Sequence, residues 1–134
     1  MERRGRLRVL LDTHTLLWSF ISPSSLSREA RAVLAEKTVE VLVSAASAWE
    51  IATKVRLGKL PEAEELERRF VQSIHEVGYT LLAIDADTAL RAGRLVAGHG
   101  DPFDRILAAQ ALALDIPILS KDPKLDLFAV RRVW

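Results

Sequence analysis

Four short stretches of this 134-residue chain each set an acid where a strand should end or a helix begin. "VLLD" closes on Asp12, "VSAASAWEIATKVRLGKL" carries Glu50, "GHGDPFDRILAAQALAL" opens with Asp101 and Asp104, and "PILSKD" ends on Asp122. Each acid also has an ordinary structural use. Asp12 can end a strand or cap the helix after it, Glu50 can pair with Lys54 one turn along, and Asp122 can shape the turn before Pro123. Asp101 can accept from an early helix N–H, with Pro102 suited to the first helical position and Asp104 in the positive first turn. Asp85 and Asp87 read as a helix cap and a first-turn charge. Capping alone does not explain why so many acids should share one edge of a fold.

Like charges gathered in one cleft repel, so such a cluster holds either protons or cations. Hard oxygen donors, with no cysteine and no clustered histidine, suit Mg²⁺ or Mn²⁺ and fit zinc poorly. An ion held by a few carboxylates keeps waters and recruits phosphate oxygens, which points to phosphoryl transfer or phosphodiester hydrolysis. Such an ion would activate a water and neutralise charge at phosphorus. His14 and His99 lie near the same edge but are read as ordinary, partly exposed imidazoles, because that chemistry needs no histidine base. His75 belongs to a polar helix and receives no role. Trp18 and Trp49 stand at helical spacing and read as packing residues rather than platforms for a base.

Apolar periodicity predicts the elements that must position these acids. Strand-like runs cover 7–11, 39–43, 80–84 and 116–119, with a short one at 131–133. Helical periods fill the spaces, over 14–21, 27–37, 45–57, 62–77, 87–97 and 102–114, with Gly58, Gly78 and Gly98 as stop signals. "SPSSLS" at 22–27 reads as a connection ending in a helix cap. Strands separated by helices predict an α/β fold: one domain over 1–134, with a mostly parallel central sheet flanked by helices on both faces. In such a sheet the carboxyl ends of the strands share an edge with the starts of the following helices. Asp12 and Asp122 follow strands, and Asp101 and Asp104 start a helix, so all four can meet there. In the Glu50 helix, Ala48, Ile51, Ala52 and Val55 form the predicted core stripe, with Glu50 projecting roughly opposite, beside Ser47 and Lys54.

Composition narrows the class further. A domain of this size buries roughly two thirds of its unfolded surface and needs no staples. Without cysteine there is no disulfide framework and no thiolate nucleophile, which fits a reducing cytoplasm. The basic start "MERRGRLRVLLD" carries a short apolar run that reads as a strand rather than a signal or membrane segment, so the protein is expected in the cytoplasm. Nineteen basic against eighteen acidic side chains, a formal net charge of +1, give no global field announcing nucleic acid or membrane, so local charge must decide.

Taken in order, "LLDTHTLLW", "VSAASAWEIATKVRLGKL", "DPFDRILAAQAL" and "LSKD" resemble the successive motifs of PIN-domain ribonucleases, close to the VapC-type toxins of toxin-antitoxin pairs. The resemblance spans nearly the whole chain. It implies a Mg²⁺- or Mn²⁺-dependent endoribonuclease, with one or two ions held by the catalytic quartet Asp12, Glu50, Asp104 and Asp122. The family's third acid precedes a helical Ala pair by four residues, which selects Asp104 and leaves Asp101 as a cap and lesser candidate. Ala108 and Ala111 follow on the flank of Asp104, small enough to admit another backbone. The hydroxyls of Thr13, Ser44, Ser47 and Ser120 either bond the quartet or bond local backbone. Lys54, Arg56, Lys59 and Arg105 either guide an RNA backbone or are solvated surface charge. The resemblance further implies a cognate antitoxin covering the cleft and a tendency to homodimerise.

Three rivals make different demands. A receiver-type Mg²⁺-binding phosphoacceptor has an acid pair after its first strand and an acceptor Asp later, whereas here strand one delivers only Asp12 and the run 39–43 leads into Ser44. A haloacid-dehalogenase-like phosphatase needs a second Asp two residues after the first, where His14 stands. A silent binding module would not need four acids.

Overall fold

The computed structural model describes residues 7–96 and 100–134. Five strands form one sheet: β1 (Leu7–Leu11), β2 (Val39–Ser44), β3 (Thr80–Leu82), β4 (Ile118–Leu119) and β5 (Arg132–Val133). Their order is β3-β2-β1-β4-β5 and every pairing is parallel, so β1 lies at the centre between β2 and β4. Side chains alternate between two cores. Val9, Leu11, Val41 and Val43 join the packing of α1 (Thr13–Ile21), α2 (Arg28–Ala35), α3 (Ala45–Arg56), α4 (Glu64–Arg68) and α5 (Phe70–Glu76) through Leu16, Ala30, Ile51, Leu66 and Ile74. Leu10, Leu42 and Ile118 face the other way, against Leu107, Ala108 and Ala111 of α7 (Pro102–Leu114) and Leu125 and Phe128 of a 3-10 segment (Pro123–Phe128). Burial on both faces is why these strands read as unbroken apolar runs.

Several predicted boundaries move, each for a local reason. The single helix expected over 62–77 is a 3-10 turn (Pro61–Ala63) followed by α4 and α5, broken at Arg69 with φ −116° and ψ 31°. Ala63, Leu66, Phe70 and Ile74 still bury one continuous stripe, so periodicity reported the face correctly but not the break. β4 starts at Ile118 rather than 116, since Pro117 has no N–H to give a ladder and only accepts, from Leu10 N at 3.0 Å. β3 stops at Leu82, two residues short of the predicted run, and β5 begins at Arg132. Gly58 and Gly78 do end helices, at φ +73° and +83°. The remaining helix, α6 (Ala86–Arg94), starts from an Asp85 cap and leaves helical geometry at Leu95. Gly98 and His99 lie outside the described residues, as does the predicted end of that helix at Ala97.

Reversal of strand order beside β1 fixes where a ligand can enter. Crossovers from β1 run to β2 on one side, and the chain returns to β4 on the other, opening a crevice beyond the carboxyl ends of β1 and β4. Asp12 and Ser120 directly follow those ends. Among the described residues, no helix is long and apolar enough to cross a membrane.

Candidate functional site

The crevice is a cleft of about 280 Å³ lined by Asp12, Thr13, His14, Glu50, Lys54, Asp101, Asp104, Asp122 and Lys124. Asp12 is nearly buried and caps α1, its Oδ1 accepting from Thr15 N at 2.8 Å. Its Oδ2 accepts from the Ser120 hydroxyl at 2.5 Å, while Ser120 Oγ accepts from Asp122 N at 3.0 Å. One serine thus couples the ends of β1 and β4. Asp122 Oδ1 accepts from Lys124 N at 2.9 Å, capping the 3-10 segment, and Asp101 Oδ1 accepts from Phe103 N and Asp104 N at 2.9 and 3.2 Å. Capping and convergence therefore coexist. The positive ends of α1 and α7 stand at the cleft, which moderates the repulsion among these acids.

Glu50 lies in the cleft, while the core stripe predicted for its helix is only partly the buried one. Glu50 is buried together with Ala46, Ser47 and Ile51, while Ala48, Ala52 and Val55 are only half-buried. The helix is packed on two sides, against the sheet core and against α7, which encloses Glu50 beside Lys54 at the cleft. Lys54 Nζ donates to Glu50 Oε2 at 2.6 Å, so the i,i+4 pair forms, but inside the cleft rather than on an open surface. Trp49 next to it is exposed and meets Phe103 of α7 edge-on, with ring centroids 4.7 Å apart.

The electrostatics follow from this grouping of acids. Burial, then the charges of Asp101, Glu50, Asp12 and Asp122, push Asp104 up to about 7. Burial also raises Asp12, against the opposing pull of its bonds to Ser120 and Thr15. Among the described residues no three acids close on a single point, so this is an acidic basin rather than a formed cage. Its donor set is nevertheless all hard oxygen with spare acceptor capacity, and it suits a divalent cation that keeps part of its water shell.

The candidate hydroxyls divide. Ser120 bonds an acid of the quartet, Ser44 Oγ accepts from Ala46 N as the cap of α3, and Thr13 and Ser47 bond each other at 3.0 Å, tying α1 to α3. Of the basic residues, Lys54 lines the cleft, while Arg56 and Lys59 are exposed at and beyond the end of α3. Arg105 does not fit the expected RNA-guiding position. Its guanidinium donates to the carbonyls of Ala92 (3.0 Å), Gly93 (3.4 Å) and Leu95, closing the end of α6 onto α7, and lies 5.9 Å over the Phe128 ring. A charged fork beside a helix end meets carbonyls that the helix itself leaves open, and sequence distance from the acids gave no sign of that. His14 lines the cleft at the edge where it was expected, whereas sequence reasoning missed Lys124 as a cleft residue. The signal for Lys124 was its place two residues after Asp122 in a turn.

Comparison with known proteins agrees with this architecture. The chain is 42% identical over 64 residues to Ribonuclease VapC16 of Mycobacterium tuberculosis, a segment covering 47% of this chain and 45% of that protein. The matched segment thus spans less than half of the relative. Similar solved structures include VapBC2 from Rickettsia felis bound to a fragment of promoter DNA, with TM-score 0.66, 13% identity and coverage of 95% of this chain and 98% of that one. A toxin-antitoxin complex from Klebsiella pneumoniae aligns with TM-score 0.56 and 19% identity over 87% and 88% of the two chains. At such identities these two likenesses speak for the fold. The PIN domain family model matches residues 9–130, from within β1 to just before β5, and with that span the chain belongs to the PIN domain family.

Proposed function

We propose that the cleft is the active site of a divalent-cation-dependent endoribonuclease acting as the toxin of a toxin-antitoxin pair. The observation that carries this reading is the convergence of Asp12, Glu50, Asp101, Asp104 and Asp122 on one cleft. The acids after β1, within α3, at the start of α7 and after β4 come from distant parts of the sequence, and chance capping does not require that they meet in one cleft. The likeness to a ribonuclease and to toxin-antitoxin assemblies supports RNA as substrate and an antitoxin as partner. A receiver-type reading lacks its acceptor carboxylate, since β2 ends on Ser44, whose hydroxyl caps α3.

Asp12, Glu50, Asp104 and Asp122 would hold one or two Mg²⁺ or Mn²⁺ ions, with Asp101 at the rim. When bound, such an ion supplies Lewis-acid stabilisation of charge at phosphorus and an activated water. The chain's own residues prepare the site. Ser120 fixes the Asp12 carboxylate relative to Asp122, and the Thr13–Ser47 bond holds α1 against α3. Asp104 keeps a proton near neutrality, so loading the cleft is coupled to loss of that proton from its carboxyl. Lys54 and Lys124 at the cleft, with Arg56 and Lys59 along α3, offer positive charge to an RNA backbone. One domain over 1–134, a homodimer in solution and a cytoplasmic location complete the reading.

Purified protein should cut single-stranded or looped RNA with Mg²⁺ or Mn²⁺ and not with EDTA. Asp12→Asn and Asp122→Asn should each lower the rate by at least about a hundredfold, several kcal/mol of lost transition-state stabilisation. Wild-type rates in both variants, with contaminating nucleases excluded, would overturn the assignment. Expression in bacteria should arrest growth, and co-expression of a cognate antitoxin should restore it.

A further inference from the structure

A second pocket opens beside the acidic cleft and shares three of its residues. It measures about 360 Å³ and is lined by Asp12, His14, Trp18, Lys121, Asp122 and Pro123. Its composition differs from that of the cleft. Trp18 is half-buried and packs against the core beside Trp134, with ring centroids 5.8 Å apart and the planes tilted by 54°. His14, one turn earlier on α1, places its exposed ring 5.9 Å from that of Trp18. The exposed Lys121 holds its Nζ over the same indole, 5.9 Å from its centre, so an incoming base would move this flexible side chain aside toward its phosphate.

We propose that this pocket receives the base of a nucleotide next to the scissile phosphate, stacked on Trp18, with Lys121 taking the adjoining phosphate. The inference rests on the endoribonuclease reading and deepens it, by placing a single-stranded, unstacked nucleotide at one side of the cleft. The chemistry favours such an occupant. An indole packed against the core and Trp134 offers a flat apolar face on which a base can stack. A base brings a matching π-face, and its phosphate brings the negative charge that Lys121 can meet. The pocket is continuous with the cleft through Asp12, His14 and Asp122, so the same strand can fill both. A base paired in a duplex cannot reach such a floor, so the pocket selects unpaired RNA.

Binding is measured in an Asp104→Asn background with Mg²⁺, so that hydrolysis is removed along with one repelling charge. The probes are short, fluorescently labelled single-stranded RNA oligonucleotides, intact or with one base removed at each position in turn, read by anisotropy. Trp18→Leu should weaken the intact oligonucleotide about tenfold or more, and Trp18→Phe should retain most of its affinity. One abasic position should cost the Trp18 protein a similar factor and cost the Trp18→Leu protein nothing further. Lys121→Gln, which alters an exposed side chain and leaves the core intact, should weaken binding and flatten its salt dependence. Equal affinities for Trp18→Leu, Trp18→Phe and Lys121→Gln would overturn the subsite while leaving wild-type RNA cleavage, and with it the activity, standing. The subsite is overturned equally if Trp18→Leu weakens only antitoxin binding. A wild-type protein that neither binds nor cuts RNA overturns both readings.

Discussion

Asp104, held at a pKa of about 7 by burial and by four neighbouring carboxylates, ties the stability of the cation-free protein to pH. Its ordinary value is 3.8, so between 3.8 and about 7 the folded state keeps a proton that the unfolded chain has lost. Unfolding then releases a proton, and stability must fall as pH rises through that window and level off above it. Asp12 acts in the same direction. Asp85 and Asp126 are shifted down, so their stabilisation is present above 3.8 and lost only as pH falls below it, outside the window. Thermal melts in EDTA should therefore drop between mildly acidic and mildly alkaline buffer, and Asp104→Asn should melt higher than wild type on the alkaline side. The helix dipole at the first turn of α7 acts oppositely, stabilising a carboxylate by about 0.3–1 kcal/mol, and here repulsion outweighs it. A variant melting lower in EDTA, yet gaining as much from Mn²⁺ as wild type, would return Asp104 to a helix-end role. Lys54 supplies a second test. Lys54→Met leaves Glu50 buried without its ammonium, so the cation-free protein should lose on the order of 1–2 kcal/mol and gain a larger Mn²⁺ increment than wild type.

At the scale of elements, the cleft depends on how α6 and α7 are joined. The last carbonyls of α6 have no partner within their own helix, and the Arg105 guanidinium supplies one from the first turns of α7. Arg105→Met should destabilise by about 2 kcal/mol and speed amide exchange at the end of α6, with exchange in α3 unchanged. If exchange at α6 were unaltered while RNA binding weakened, the guanidinium would belong to substrate rather than to the fold. Ser120 holds a comparable position between β4 and the 3-10 segment, since one hydroxyl both orients Asp12 and fixes the main chain at Asp122.

For the whole molecule, the packing of α5 in the core shares no residue with the cleft among the described residues, so their energetics should separate. Ile74 is fully buried on α5, in the core on the face away from α7. Ile74→Ala should cost about 2–5 kcal/mol. The stabilisation added by Mn²⁺, about 2.7 kcal/mol at a hundredfold excess over Kd, should be the same in this variant as in wild type. Calorimetric melts with and without Mn²⁺ check both numbers. A smaller increment in the Ile74 variant would mean that packing on that face sets the geometry of the cleft.

Much of this arrangement was legible in the residues alone. Unbroken apolar runs between helical periods pointed to a parallel sheet covered on both sides, because only burial on two faces calls for such strands. Chain direction then put Asp12 and Asp122 at carboxyl ends and Asp101 and Asp104 at a helix start, since in a parallel sheet those positions share an edge. Other features are long-range and left no local mark. The break at Arg69 lies within a stripe that stays periodic, and the burial of Glu50 depends on α7 packing across α3. Arg105 turned to α6 because carbonyls from residues ten to thirteen positions earlier came within reach. The pocket over Trp18 formed where β4 brought Lys121 back beside α1. Periodicity records which side of an element meets a core, and the tertiary fold alone decides which charged side chains meet one another.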